Sequence, residues 1–326
     1  KKLVNSSFLT YMAWGLAVIA VVLSSLIGGY YLGYEDAKQE ILERSKLSKQ
    51  KRLTMLKKLE DVSSKPKQNV NTRLKDILKK DVKTYTAASH EYSSPEALKP
   101  PTRIKRDIKR ISSKPKLAII IDDVCVKSHV KAIKRVGIPV TMSFLPPSKN
   151  RPNSAKLASN EKVYMVHLPL EAQSYSAEEP STLRTDDSSA KITSRVQYIK
   201  KIFPRVSYVN NHTGSKFTSN ELAVNRLIYA LKKEKINFID SRTTADTKVP
   251  MVMKNLGLNY VARDVFLDHY TDKKSIKKAI IKAIRIAKDH GTAVAIGHPH
   301  TNTLLALSES KKLFKDVELV YIDRLY

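Results

Sequence analysis

The groups in this chain that could bind a metal or move a proton fall at the ends of short apolar runs. Asp122 and Asp123 close LAIIIDD, and His167 with Glu171 closes KVYMVHLPLE. Asn211 and His212 lie in VSYVNNHTGS, Asp240 and Arg242 in INFIDSRT, Asp264 and Asp268 in NYVARDVFLD, and His298 and His300 in TAVAIGHPH. Carboxylates and imidazoles without thiolates are the donor set of Zn2+ or a similar divalent ion in a catalytic site with an open position. Such an ion polarises a carbonyl and lowers the pKa of water to about 7, and hydrolysis then needs a base for the water and an acid for the leaving group. Neighbouring side chains at a strand end point in different directions, so one aspartate of the pair can bind metal while the other takes a proton. Each residue alone has a plainer explanation. An Asp pair after a strand is common in turns and helix caps, and a lone His in an apolar run is usually a hydrogen-bonded core residue. Their recurrence at the same end of successive runs is what argues for a site.

Holding these groups together requires an alternation of strand and helix. With PVTMSFLP and ELVYIDRLY, the short runs fill the chain from residue 116 onward, separated by amphipathic stretches. This predicts an α/β fold, a distorted (β/α) barrel of about seven to eight parallel strands, whose C-terminal strand ends converge on one rim. The stretch SNELAVNRLIYALKKEK reads as a helix opened by a capping box of Thr218 and Glu221. The basic stretch from Ser275 to His290 carries Ile276, Ile280, Ile284 and Ala287 on one face, which fits an outer helix of the barrel.

The chain has 326 residues, 42% of them hydrophobic, and a formal net charge of +28 from 59 Lys+Arg against 31 Asp+Glu. Residues 1–34 contain a charge-free apolar stretch bordered by aromatic residues, long enough for a transmembrane anchor. Lys1 and Lys2 precede it and Glu35 and Asp36 follow, so a single pass with a cytoplasmic N-terminus is expected, the remainder lying outside the cytoplasm on the periplasmic face. Residues 35–115 read as a basic spacer, helical at first and then rich in Ser, Pro and Lys, which leaves 116–326 as the folded domain. Since about 23 basic and 11 acidic residues lie between Glu35 and Lys116, roughly +12 of the charge belongs to the spacer and its edge. The charge is therefore no argument for nucleic acid, and the spacer lacks the aromatic residues on which single strands stack. The single cysteine, Cys125, excludes an intrachain disulfide and a cysteine-based zinc module.

The blocks LAIIIDD, HLPLE, NNHTGSKFT, FIDSRT, RDVFLD and AIGHPH, in this order, resemble the signature blocks of the divergent polysaccharide deacetylases, a distant branch of the NodB-like deacetylases. The resemblance covers about Lys116 to Ala306. It implies a distorted β/α barrel and removal of N-acetyl groups from an amino-sugar polymer. It places Asp122 as catalytic base, Asp123 as metal ligand, His167 at the start of the second metal-binding motif and His298 as catalytic acid. Two departures stand out. The family's H-x3-H motif appears here as His167 to Glu171, so Glu171 or His212 must complete the metal site, and the usual Arg-Pro-Tyr block is replaced by NNHTGS.

The resulting expectation is a membrane-anchored carbohydrate deacetylase dependent on a divalent metal, Zn2+ by its donor set, with Asp123, His167 and His212 as ligands, acting on an envelope polysaccharide or glycan and not on nucleic acid. Glu171, Asn211, Asp240, Arg242, Asp264 and His300 would position substrate or orient the ligands, although Asp240 and Arg242 also fit a structural ion pair. The competing expectation is a non-catalytic protein that uses the same rim to hold glycan or an envelope partner.

Overall fold

A computed structural model describes residues 95–102, 114–174 and 178–325. The expected transmembrane anchor and most of the spacer lie outside the described residues. Among the described residues no helix is long and apolar enough to cross a membrane.

The strands are β1 (Lys116–Val124), β2 (Thr141–Phe144), β3 (Tyr164–Leu170), β4 (Tyr208–Thr213), β5 (Asn237–Asp240), β6 (Val261–Ala262), β7 (Val265–Phe266), β8 (Thr292–Gly297) and β9 (Glu318–Val320). The helices are α1 (Lys127–Val136), α2 (Ser154–Ala158), α3 (Ser189–Ile202), α4 (Ser215–Ser219), α5 (Glu221–Lys233), α6 (Val249–Asn255), α7 (Lys273–His290) and α8 (Thr301–Glu309). The sheet runs β6-β5-β4-β3-β2-β1-β8-β7 and its pairings are parallel. Its two ends, β6 and β7, are successive parts of one segment. Arg263 N–H donates to the Asp240 carbonyl and Asp264 N–H to the Val294 carbonyl, so this segment leaves β5 for β8 and brings the sheet round on itself. The result is a distorted parallel barrel in which β6 and β7 share one stave. β9 pairs with the first residues of β1.

The two-residue period of the strands sorts their side chains. On β1, Leu117, Ile119 and Ile121 join the larger core between sheet and helices, while Ala118 and Ile120 join Met165, Ile239, Phe266, Val294 and Ile296 inside the barrel. Truncating one of these buried isoleucines to alanine should cost about 2–5 kcal/mol. The outer helix α7 buries Ile276, Ile280, Ile284 and Ala287, as its spacing predicts, and starts at Asp272, whose carboxylate accepts from Ser275 N–H at 2.9 Å. The expected capping box at Thr218 does not form. Thr218 belongs to the short helix α4 and its hydroxyl donates to the Gly214 carbonyl, so Asn220 caps α5 instead, accepting from Ala223 N–H at 2.9 Å. The folded core also reaches upstream of residue 116: Ala97, in the 3-10 turn Pro95–Leu98, is buried, and its carbonyl accepts from Arg263 Nη2 at 2.6 Å.

Candidate functional site

By the alternation of β1, Asp122 points into the barrel above Ile120, and Asp123 should point out toward the helices. Instead Asp123 has φ 55°, in the left-handed region, and the β1–β2 register shifts between Ile121 and Val124. This local reversal brings its carboxylate back among the inward side chains. Thr213, the last residue of β4, and Arg242, just after β5, have φ 52° each. Left-handed backbone at such residues costs about 1–3 kcal/mol each and persists where its surroundings hold it. At Thr213 the clamp is visible: its hydroxyl donates to the Leu170 carbonyl at 2.7 Å and its own carbonyl accepts from Asn211 Nδ2 at 2.6 Å.

Asp123, His167 and His212 come together, each offering one donor atom, all within 4.8 Å of one another, and all three residues are buried. Asp123 Oδ1 lies 3.2 Å from His212 Nδ1 and 3.5 Å from His167 Nε2, yet this buried oxygen accepts no hydrogen bond. A buried carboxylate oxygen left without a donor between two imidazoles fits a cation held by all three groups. The far side of His167 is fixed, because its Nδ1 donates to Asn210 Oδ1 at 3.1 Å and so leaves the Nε2 lone pair facing Asp123. Burial, then the neighbouring His212, lowers the pKa of His167 to about 3 and keeps that ring neutral. Asp123 is held far below the ordinary carboxylate range: burial opposes its charge, but His212, His298 and His167 outweigh it.

Asp122 lies beside this cluster. Asn210 Nδ2 donates to both of its oxygens at 2.9 Å, while Asn210 Oδ1 accepts from Ser143 Oγ at 2.6 Å. Burial raises the Asp122 pKa to about 7 against the opposing pull of His298 and Asn210. His298 is the opposite case. Burial disfavours its charge, but Asp268, with Oδ1 3.1 Å from His298 Nδ1, prevails with Asp123 and Asp122 and lifts the pKa to about 9. Asp268 is itself pinned, its Oδ2 accepting from His298 N–H at 2.6 Å and from Thr303 Oγ1 at 2.7 Å. Gly297 permits this approach, since a Cβ there would lie 3.1 Å from Thr303 Cγ2 and 3.3 Å from Asp268 Oδ2.

The sequence profile of the family described as divergent polysaccharide deacetylase matches residues 119–326. The chain belongs to this family. It is 31% identical over 196 residues to the uncharacterized protein YibQ of Escherichia coli, covering 60% of this chain and 61% of that protein, so the match spans about three fifths of the relative's length. It is 30% identical over 216 residues to an uncharacterized protein of Haemophilus influenzae, covering 65% of this chain and 76% of the relative. The crystal structure of an uncharacterized protein from Agrobacterium tumefaciens shares the fold, with a TM-score of 0.58 and 19% identity over 71% of this chain and 94% of that one.

Within this family member the rim residues separate into two groups. Asp122, Asp123, His167, His212 and His298 face one another across the inward side, and His300 stands next to His298 with ring centroids 5.9 Å apart. The others are tied into the scaffold. Glu171 lies outside the ligand cluster because Lys216 Nζ, at 2.8 Å, and the Thr185 N–H and hydroxyl, at 2.9 and 2.8 Å, take its oxygens, and they lower its pKa to about 2 against burial. Asn211 faces the other side of β4 from Asn210 and holds the Ser241 N–H and the Thr213 carbonyl. Asp240 is fully buried and accepts from Thr247, Tyr260 and the Arg242 backbone N–H, so its tie to Arg242 runs through the backbone. Asp264 exchanges hydrogen bonds with the backbone of Val294. The residue that sequence reasoning passed over is Asn210. The signal was present, because a period of two that turns His212 inward must turn Asn210 inward as well.

Proposed function

We propose that this chain is a metal-dependent hydrolase that removes N-acetyl groups from an amino-sugar polymer of the cell envelope. The observation that carries the reading is Asp123 Oδ1, buried without a hydrogen bond between His167 and His212, with Asp122 and His298 beside it. Asp123, His167 and His212 would hold the ion. Zn2+ or a similar ion held there supplies Lewis acidity toward a carbonyl and toward water.

The protein's own residues supply the proton movements. Asp122, with a pKa near neutrality, accepts a proton from the attacking water, and the two N–H bonds from Asn210 keep its carboxylate oriented. His298 is protonated at neutral pH and gives its proton to the departing amine nitrogen, with Asp268 fixing the ring through Nδ1. Membership of the polysaccharide deacetylase family supports a glycan as substrate. The charge-free stretch in residues 1–34, followed at once by an acidic pair, supports an anchored chain with its domain outside the cytoplasm.

The test is release of acetate from N-acetylated amino-sugar oligomers by the metal-loaded chain. Turnover should need Asp122 ionised and His298 protonated, giving a bell whose falling limb lies toward pH 9 and whose rising limb lies below 7, because a bound cation favours the Asp122 carboxylate. A metal-loaded chain inert on every acetylated glycan tried would replace this reading with that of a glycan-binding protein on the same rim.

A further inference from the structure

The rim carries a second constellation with the same donor set. Asp268 after β7, His298 after β8 and His300 at the start of α8 each present one ligand atom, all within 4.8 Å of one another. Asp268 and His298 are buried and His300 is partly exposed, so the cluster has a floor and an open side. His300 occupies the N-cap position of α8, yet its side chain makes no capping hydrogen bond. That position ordinarily selects Ser, Thr, Asp or Asn for the bond that this ring does not make. Its ring instead lies 5.9 Å from that of His298.

We propose that Asp268, His298 and His300 form a second divalent-cation site, weaker than the first, whose occupancy withdraws His298 from proton donation and makes excess zinc an inhibitor. One carboxylate and two imidazoles with an open side are a zinc donor set. Three features make the site the weaker of the two. Asp268 Oδ2 is already engaged by His298 N–H and Thr303 Oγ1. An ion must displace the proton shared by Asp268 Oδ1 and His298 Nδ1, which are 3.1 Å apart. The N-terminal end of α8 also disfavours a cation, by up to about fivefold in affinity. The inhibitory half rests on the assignment of His298 as acid; the cation site itself does not.

Zinc binding to the full chain, stripped by chelator and then titrated with Zn2+ in equilibrium dialysis, separates the two sites. The wild type should take up a tight and a weak equivalent. Asp123→Asn should lose the tight one and keep the weak, whereas His300→Ala should lose the weak one and keep the tight. His300→Gln, which keeps a polar side chain of similar size, should repeat the alanine result and exclude misfolding as its cause. Deacetylation by His300→Ala, measured relative to its own rate at one equivalent of zinc, should resist the inhibition that about tenfold excess imposes on the wild type. A single class of zinc in the wild type, or an unchanged weak class in both His300 variants, overturns the site. Loss of the weak class together with inertness on all acetylated sugars supports the site and overturns the catalytic reading on which the inhibition depends.

Discussion

Asn210 neither holds the ion nor moves the proton in the proposed chemistry, yet its one amide group touches both functions. Its Nδ2 donates to the two Asp122 oxygens and to Ser241 Oγ, and its Oδ1 accepts from Ser143 Oγ and His167 Nδ1. Replacing it with leucine, similar in volume and wholly apolar, keeps the packing and deletes these bonds. Each hydrogen bond to a charged group contributes about 1.5–3 kcal/mol. Without them Asp122 holds its proton to a higher pH than its present value of about 7. Loss of the partner that orients His167 should lower zinc affinity by about 10–100-fold, or about 1.4–2.7 kcal/mol. The assays are competition for Zn2+ with a chromogenic chelator and a pH profile of acetate release. Asn210→Leu should bind zinc more weakly and show its rising limb displaced to higher pH, with part of the lost turnover recovered there. Zinc affinity within about twofold of the wild type together with an unmoved limb would refute the reasoning.

The paired aspartates should separate cleanly. Asp123→Asn, His167→Ala and His212→Ala should lose metal, while Asp122→Asn and His298→Ala should keep it and lose about 10²-fold or more in turnover; equal metal content in all five variants counts against the ligand assignment. Asp122 also predicts a pH dependence of stability. Its folded pKa, about 7, lies above the ordinary 3.8, so its proton stabilises the metal-free fold at low pH, and that stabilisation, on the order of a few kcal/mol, is lost as pH rises from about 4 to about 7. Metal-free Asp122→Asn should therefore gain on the wild type in urea melts as pH rises from about 4 to about 8, and parallel curves would contradict the burial argument. At the opposite side of the barrel segment, Arg263 is buried, and its Nη2 donates to the carbonyls of Ala97 and Arg242. A chain beginning at residue 114 should thus be less stable than one beginning at 95 by about 1.5–3 kcal/mol, and equal denaturation midpoints would show that the Ala97 contact contributes nothing.

The barrel and its inward rim were legible because both rest on a period of two: the apolar alternation of β1 sets Ile120 inside and carries forward to Asp122. The same rule assigns Asp123 to the outer face, and only the left-handed backbone there overrides it, a feature that two adjacent aspartates do not announce. Asn210 is legible by parity, but Asn211 stands next to His212 in sequence and is the more conspicuous of the two. Glu171, Asn211, Asp240 and Asp264 end apolar runs just as the inward residues do, and what separates them is the partner each meets, a lysine, a turn or a strand backbone, which sequence spacing does not encode. The docking of Ala97 was likewise illegible, since its energy lies in an arginine far away in the chain.

The departures from the family pattern fit together once β4 is followed along its length. The second motif lacks an imidazole at position 171, and the donor that stands with Asp123 and His167 is His212, on the next strand. Because His212 and Asn210 share the inward face of β4, one strand brings both a proposed ligand and the amide that fixes His167 and Asp122. Glu171, freed from the cluster, is available to bind Lys216 at the foot of α4, the helix that directly follows β4. His212 of NNHTGS thus stands with Asp123 and His167, while the carboxylate of Glu171 is taken by Lys216 and Thr185. This placement makes a direct demand on variants: Glu171→His should not restore zinc binding to His212→Ala, because position 171 lies among Thr185 and Lys216 and outside the cluster of Asp123 and His167, and recovery of zinc binding in the double variant would contradict it.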